Sequence, residues 1–324
     1  MSEGSQTQDR IQNVSNRIID EVERVIVGKR AVIEQVVVAI LCEGHVLLED
    51  VPGLGKTMLA RSVSAALGGD FGRVQFTPDL LPTDITGSLV YDPRSAEFSY
   101  RPGPVLVNVL LADEINRAGP RTQSALLEAM EERQVSVERE RISLPRPFFV
   151  IATQNPVELE GTFPLPEAQL DRFMLKTSMG YPARDDERTM LRRFRTDTPL
   201  ATVQAVTSPE EISELIGLVR HIHISAVVED YLLDLIHGTR DHGDIEVGAS
   251  PRAALSLARA AQAYAALHGR AYVLPDDVRA MAVPVLAHRV IPTAQADLVG
   301  TSTTSLLEAV IAATPVPVED VTVV

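Results

Sequence analysis

Nine residues, Glu49-Asp50-Val51-Pro52-Gly53-Leu54-Gly55-Lys56-Thr57, leave this chain few folds to choose from. A short apolar run, His45–Glu49, leads into them, and a helix-patterned stretch, Lys56–Leu67, leads out. Gly53 and Gly55 permit a tight backbone path in which consecutive N–H groups and a helix N-terminus converge on an anion. Strand, turn and helix in that order predict a βα unit. Further apolar runs at Arg73–Thr77, Val105–Ala112, Phe148–Thr153 and Phe173–Thr177 predict a parallel sheet with both faces covered.

The side chains of the turn suit a triphosphate. Lys56 would reach the β- and γ-phosphates, and the Thr57 hydroxyl would ligate Mg²⁺. The pattern G-x-x-x-x-G-K-[ST] is broken at its first position, where Asp50 stands. A carboxylate aimed at phosphate would be repelled, so Asp50 must point away or cap a nearby turn. The run Val105–Ala112 ends in Asp113-Glu114, which puts two carboxylates at the ligand crevice of an open sheet. There Asp113 would hold Mg²⁺ through its water shell and Glu114 would orient the attacking water; taken alone the pair would read as a solvated helix cap. Asn155, after the strand FFVIAT, is either a γ-phosphate contact or a turn residue before Pro156.

A chain of 324 residues exceeds what one core usually serves. Helices are expected over 8–24, where Ile11, Val14, Ile18, Ile19 and Val22 form one apolar stripe, and over 30–43. Asp84–Pro104 reads as an inserted hairpin turning at Asp92-Pro93-Arg94-Ser95, and Gln134–Ser143 as a second. From about Leu200 the pattern becomes helical: Pro209–Leu218, Val227–Thr239, Pro251–His268 and Pro275–His288, with Ser208, Ser225 and Ser250 as N-caps. The tail from Thr314 reads as loose.

These residues resemble the AAA+ ATPases and, within them, the MoxR family, through LLEDVPGLGKT, LLADEINRA, FVIATQNPVELEGTFPLPEAQLDRF and GASPRA. The resemblance covers roughly Val25 to Arg289. It implies an α/β P-loop NTPase core, with a parallel sheet, helices on both faces and hairpin insertions, followed by a smaller all-helical lid. The expected division is 1–24 as an N-terminal helix, 25–199 as the nucleotide-binding core, 200–300 as the lid and 301–324 as a C-terminal helix and flexible tail. The resemblance further implies ATP and Mg²⁺ as cofactors and a homo-oligomeric ring of six subunits with ATP between neighbours. Val27 and Gly28 match the adenine-contacting stretch, and Pro52, Gly53, Leu54, Gly55, Lys56, Thr57 and Met58 the phosphate loop. Asp113 and Glu114 match Walker B, Asn155 sensor 1, Arg252 sensor 2, and Arg172 the arginine finger that enters the next subunit's site. Arg172 has a plainer reading, a pair with Asp171 or Glu167, and Arg117 and Arg121 are further candidates for contact between subunits. Arg252, at a helix start, needs an anion to offset the dipole. The clients implied are protein complexes, with a von Willebrand factor A domain protein among the expected partners.

Composition sets the alternatives. A formal net charge of −14 opposes broad nucleic-acid binding, which weakens a DNA-translocating ring motor against a protein remodeller. A nucleotide-gated binding scaffold is the other alternative. Cys42 is the single cysteine, which suits a reducing cytoplasm. The opening MSEGSQTQDR shows no secretory signal, and Val36–Cys42 is too short to insert in a membrane. Neither HExxH nor G-x-S-x-G occurs, so zinc-protease and serine-hydrolase chemistry have no support.

Overall fold

The computed structural model describes residues 3–94, 96–137, 140–156, 161–195 and 199–317. Helices α1 (Glu3–Glu23) and α2 (Arg30–Leu41) precede β1 (Val46–Glu49), α3 (Lys56–Leu67), β2 (Phe71–Gln75) and the short α4 (Pro82–Thr86). The hairpin β3 (Gly87–Asp92) and β4 (Glu97–Pro102) follows, then β5 (Val109–Asp113), α5 (Pro120–Glu132), and a second hairpin, β6 (Gln134–Val137) and β7 (Glu140–Ser143). Next come β8 (Phe149–Gln154), α6 (Glu167–Leu170), β9 (Leu175–Thr177) and α7 (Arg184–Arg193). The remainder comprises α8 (Pro209–Val219), α9 (Ala226–Asp241), β10 (Ile245–Val247), α10 (Pro251–Leu267), α11 (Pro275–Leu286), β11 (Ile291–Pro292), α12 (Ala294–Val299) and α13 (Thr303–Ala313).

The main sheet runs β2-β5-β8-β1-β9 with every pairing parallel. Its side chains alternate between two apolar layers. Val46, Leu48, Val109, Leu111 and Ile151 join the layer of α1, α2 and α3. Leu47, Leu110, Ala112, Val150 and Ala152 join the opposite layer, with Leu126, Leu127, Ala129 and Met130 of α5. The stripe Ile11, Val14, Ile18, Ile19 and Val22 is wholly inside the first layer, which contributes on the order of 1.5–3 kcal/mol per side chain. That layer also holds Leu257, Ala260 and Ala261 of α10, Leu215 of α8 and Val285 of α11, so the sheet face and the C-terminal helices share one continuous interior.

The fold class read from the sequence is the one found: α/β, helices on both faces, two inserted hairpins and a helical region after them. Ser208, Ser225 and Ser250 cap α8, α9 and α10, their hydroxyls accepting from the N–H groups of Glu211, Val228 and Ala253. The run Val105–Ala112 is a strand only from Val109. Upstream, the Val105 N–H bonds back to the Ile85 carbonyl at 3.3 Å. The Asn108 side chain is held between the Asp70 N–H and the Pro147 carbonyl, each at 3.1 Å, so the chain turns before entering the sheet. The second core strand starts at Phe71 rather than Arg73 and stops at Gln75. Ser95 of the first hairpin turn, Val157–Glu160 of the sensor segment, and the acidic Glu319 and Asp320 of the tail lie outside the described residues. Among the described residues no helix is long and apolar enough to cross a membrane.

Candidate nucleotide site

The phosphate loop leaves the C-terminal end of β1 and enters α3 at Lys56. Gly53 and Gly55 hold φ of +89° and +87°, the left-handed region where a Cβ is strained. A Cβ placed on Gly53 would meet nothing within 4 Å among the described residues, so the loop opens onto free space. Gly55 caps α3 without a side-chain bond, which leaves the first N–H groups of the helix to an incoming anion. The Lys56 ammonium donates to the Asp50 carbonyl at 2.7 Å. Burial pushes the Lys56 pKa down, opposed by the charges of Asp50, Asp113 and Glu114.

Asp50 turns away from this space, as the charge argument required. Its carboxylate accepts from the Ser178 hydroxyl at 2.6 Å, the Met179 N–H at 2.7 Å and the Gly180 N–H at 3.0 Å. Only 5% of the residue is exposed. The position that breaks the loop pattern therefore ties the loop to the chain leaving β9.

Because β1 and β5 are parallel members of one sheet, Asp113 and Glu114 emerge at the same edge as the loop. Thr153 of β8, fully buried, donates to Asp113 Oδ1 at 2.7 Å and accepts the Glu114 N–H at 2.8 Å. Arg73 of β2 donates to Asp113 Oδ2 at 2.8 Å. The Glu114 carboxylate receives Gln75 Nε2 at 2.8 Å and Arg117 Nη1 at 3.1 Å. Glu114 has φ +57°, a left-handed conformation that costs a non-glycine residue about 1–2 kcal/mol. The backbone thus turns sharply to present its carboxylate. Asn155 is buried immediately after Gln154, whose carbonyl accepts the Asp50 N–H at 3.2 Å, so it stands beside the start of the loop. Arg73, Gln75 and Thr153 were missed in the sequence because each lies within a strand, where only its pairing register reveals what it faces.

A cavity of about 620 Å³ adjoins the loop. Val27, Gly53, Leu54, Gly55 and Met58, five of the residues expected to contact nucleotide, line it together with Met179, Tyr181 and Leu191, which the sequence does not single out. Gly28 has φ +70°, the left-handed region that favours glycine, and a Cβ there would displace the Asp186 carboxylate that lies against it.

The predicted arginines lie elsewhere. Arg252 does not reach the phosphate loop of its own chain: it lies 3.6 Å from Glu131 Oε1 and 3.4 Å from Asp171 Oδ2. The anion needed at this helix start is supplied by carboxylates. Arg172 Nε meets Glu131 Oε2 at 3.1 Å, not Asp171 or Glu167. Both arginines line a second cavity, of about 340 Å³, beside Gly44 and His45 at the N-terminal end of β1. The two cavities are therefore separated by the length of a four-residue strand, roughly 13 Å, and the loop beyond it. Arg121 is exposed on α5, whereas Arg117 is committed to Glu114.

Residues 45–175 match the model of the ATPase family associated with various cellular activities (AAA), and residues 237–309 that of the AAA lid domain. The chain is 45% identical over 312 residues to the Bacillus subtilis protein named Uncharacterized protein YeaC, covering 96% of this chain and 98% of that one. It is 43% identical over 286 residues to Chaperone MoxR1 of Mycobacterium tuberculosis, covering 86% and 75% respectively. The 2.00 Å crystal structure of a proposed ATPase from Cytophaga hutchinsonii superposes with a TM-score of 0.89 at 38% identity, covering 97% of this chain and 98% of that chain.

Proposed function

Given that the chain belongs to the MoxR family of AAA+ ATPases, we propose that it hydrolyses ATP with Mg²⁺ in a homo-oligomeric ring of six subunits and uses turnover to remodel or activate a client protein complex. The observation that carries the chemistry is the meeting of Lys56, Asp113 and Glu114 at one sheet edge beside an open, uncapped glycine loop. Lys56 and the α3 N–H groups hold the β- and γ-phosphates. Thr57 and Asp113 are the residues that fit a magnesium ion, Asp113 through water, and the ion neutralises phosphate charge when bound. Glu114 orients a water toward the γ-phosphorus; the new P–O bond forms as the bond to the ADP oxygen breaks, and Asn155 contacts the phosphate or that water. The apolar cavity beside Val27 and Gly28 takes the adenine.

Arg172 and Arg252 act on the neighbour's nucleotide, since they stand at the far edge from their own loop. A transferred arginine of this kind is worth about 10³–10⁵ in rate, so a lone subunit is nearly inactive. The name of Chaperone MoxR1 supports a protein-remodelling role, and a von Willebrand factor A domain protein is the partner class proposed. A cytoplasmic location goes with this reading, as does weak DNA affinity at a net charge of −14.

The test is ATPase rate per subunit against protein concentration, for the wild type and Arg172→Ala. The wild-type rate should climb with concentration to a plateau, and Arg172→Ala should stay near the dilute rate throughout. A rate independent of both concentration and Arg172 would remove the shared-site mechanism; ATP-driven assembly without turnover would leave the nucleotide-gated scaffold instead.

A further inference from the structure

The arginine cavity holds its own anion. Glu131, at the end of α5, gives one carboxylate oxygen to Arg172 and the other to Arg252. This is the bridging geometry a phosphate would adopt between two guanidinium groups. The other carboxylate there, Asp171, has no such freedom. Buried Arg289, its side chain 4% exposed, donates to Asp171 Oδ1 at 2.7 Å and to the carbonyls of Phe173 and Met174. Asp171 is thereby part of the framework, whereas the Glu131 side chain, 40% exposed, has the two arginines as its ion-pair partners among the described residues.

We infer that Glu131 is a positioning residue that stands in for the neighbouring subunit's terminal phosphate, holding Arg172 and Arg252 together until a nucleotide-bearing neighbour displaces it. The inference rests on the shared-site reading above. Its sign follows from charge. Docking a triphosphate on these arginines must break both Glu131 pairs and leave a carboxylate beside a multiply charged anion, and each effect opposes assembly. Removing the charge loses little order in return, because Arg252 keeps Asp171 and the Arg172 backbone N–H stays bonded to the Gln169 carbonyl at 3.2 Å.

Glu131→Gln keeps the size of the side chain and removes its charge. In the full chain, its ATPase should reach half-maximum at a protein concentration on the order of fivefold lower than the wild type, the scale set by two partly exposed ion pairs. The gap should narrow at roughly 0.5 M salt, where such pairs are screened. ATP affinity of the dilute subunit should be unchanged, since Glu131 lies at the opposite sheet edge from its own loop. A half-maximal concentration equal to or above wild type, or a gap that salt leaves untouched, overturns the inference. Arg172→Ala run in parallel separates the two failures: loss of turnover there with no shift in Glu131→Gln sinks only the stand-in role, while full turnover in Arg172→Ala sinks the shared site itself.

Discussion

Replacing Asp50 by glycine would restore the strict phosphate-loop pattern, and the structure predicts that the restored pattern is worse. The Asp50 carboxylate accepts from one hydroxyl and two backbone N–H groups on residues 178–180. Hydrogen bonds to a charged group are each worth about 1.5–3 kcal/mol, and relief from burying the carboxylate returns part of the sum. Backbone freedom added to the unfolded chain by glycine subtracts a further 0.4–1 kcal/mol or so. A net loss of about 3 kcal/mol is expected, and with an unfolding entropy near 2.1 cal/mol/K per residue it lowers the melting temperature by about 4 °C. The same change frees Met179 and Gly180, which line the apolar cavity, so nucleotide affinity should fall as well. Thermal melts without nucleotide and calorimetric titration with ATP read the two effects separately. An Asp50→Gly protein that melts and binds nucleotide as well as the wild type would refute the view that this carboxylate ties loop to cavity.

Two other outcomes follow from buried groups. Thr153→Val keeps the shape of the β8 side chain but removes both its bonds to Asp113 and Glu114. Steady-state kinetics should show turnover down about 10–100-fold, the scale of a misplaced catalytic group, with a smaller change in ATP affinity; an equal loss in both would count against a role in setting Glu114. His45 is buried, its Nδ1 accepting the Val150 N–H at 3.1 Å, and burial pushes its pKa down from 6.5 to about 4. The folded state thus favours the neutral ring: its stability contribution is complete above pH 6.5 and is lost as pH falls toward 4, about 2 kcal/mol by pH 5. His288, also pushed well down by burial, steepens the same trend. Urea unfolding at pH 7, 6 and 5 should show the decline, and His45→Gln should flatten it.

The local chemistry of the loop was legible because each part of it is a short-range matter. Glycines with positive φ, an uncapped helix start and serine caps all act within a few residues, and α3 begins and ends where the sequence said. Asp50 could be reasoned about before its partners were known, since repulsion alone forbade it from facing phosphate. What escaped depends on contacts far apart in the chain. Asp50 and Ser178 are separated by 128 residues, and no periodicity reports such a pairing. Helix α7 went unrecognised because it buries no side chain fully; its apolar residues wall a cavity instead of a core. The partners of Arg252 were hidden for a related reason: a helix start next to an arginine signals an anion without saying whose it is, and the carboxylates that meet it belong to Glu131 and Asp171. The three apolar residues Val105–Val107 looked like strand, yet Asn108, its side chain bonded on both sides, holds the chain in a turn before Val109.

The continuous interior joining the sheet face to the C-terminal helices bears on how such a subunit could do mechanical work. A body packed through without a seam resists bending, because any internal hinge would have to expose side chains of α10 and β1 alike. Arg289 and His288 stiffen the junction further by bonding to the Phe173 carbonyl. In the ring proposed above the compliant joints would be those between one block and the next, so displacement would accumulate around the circle as a change in the tilt of whole subunits.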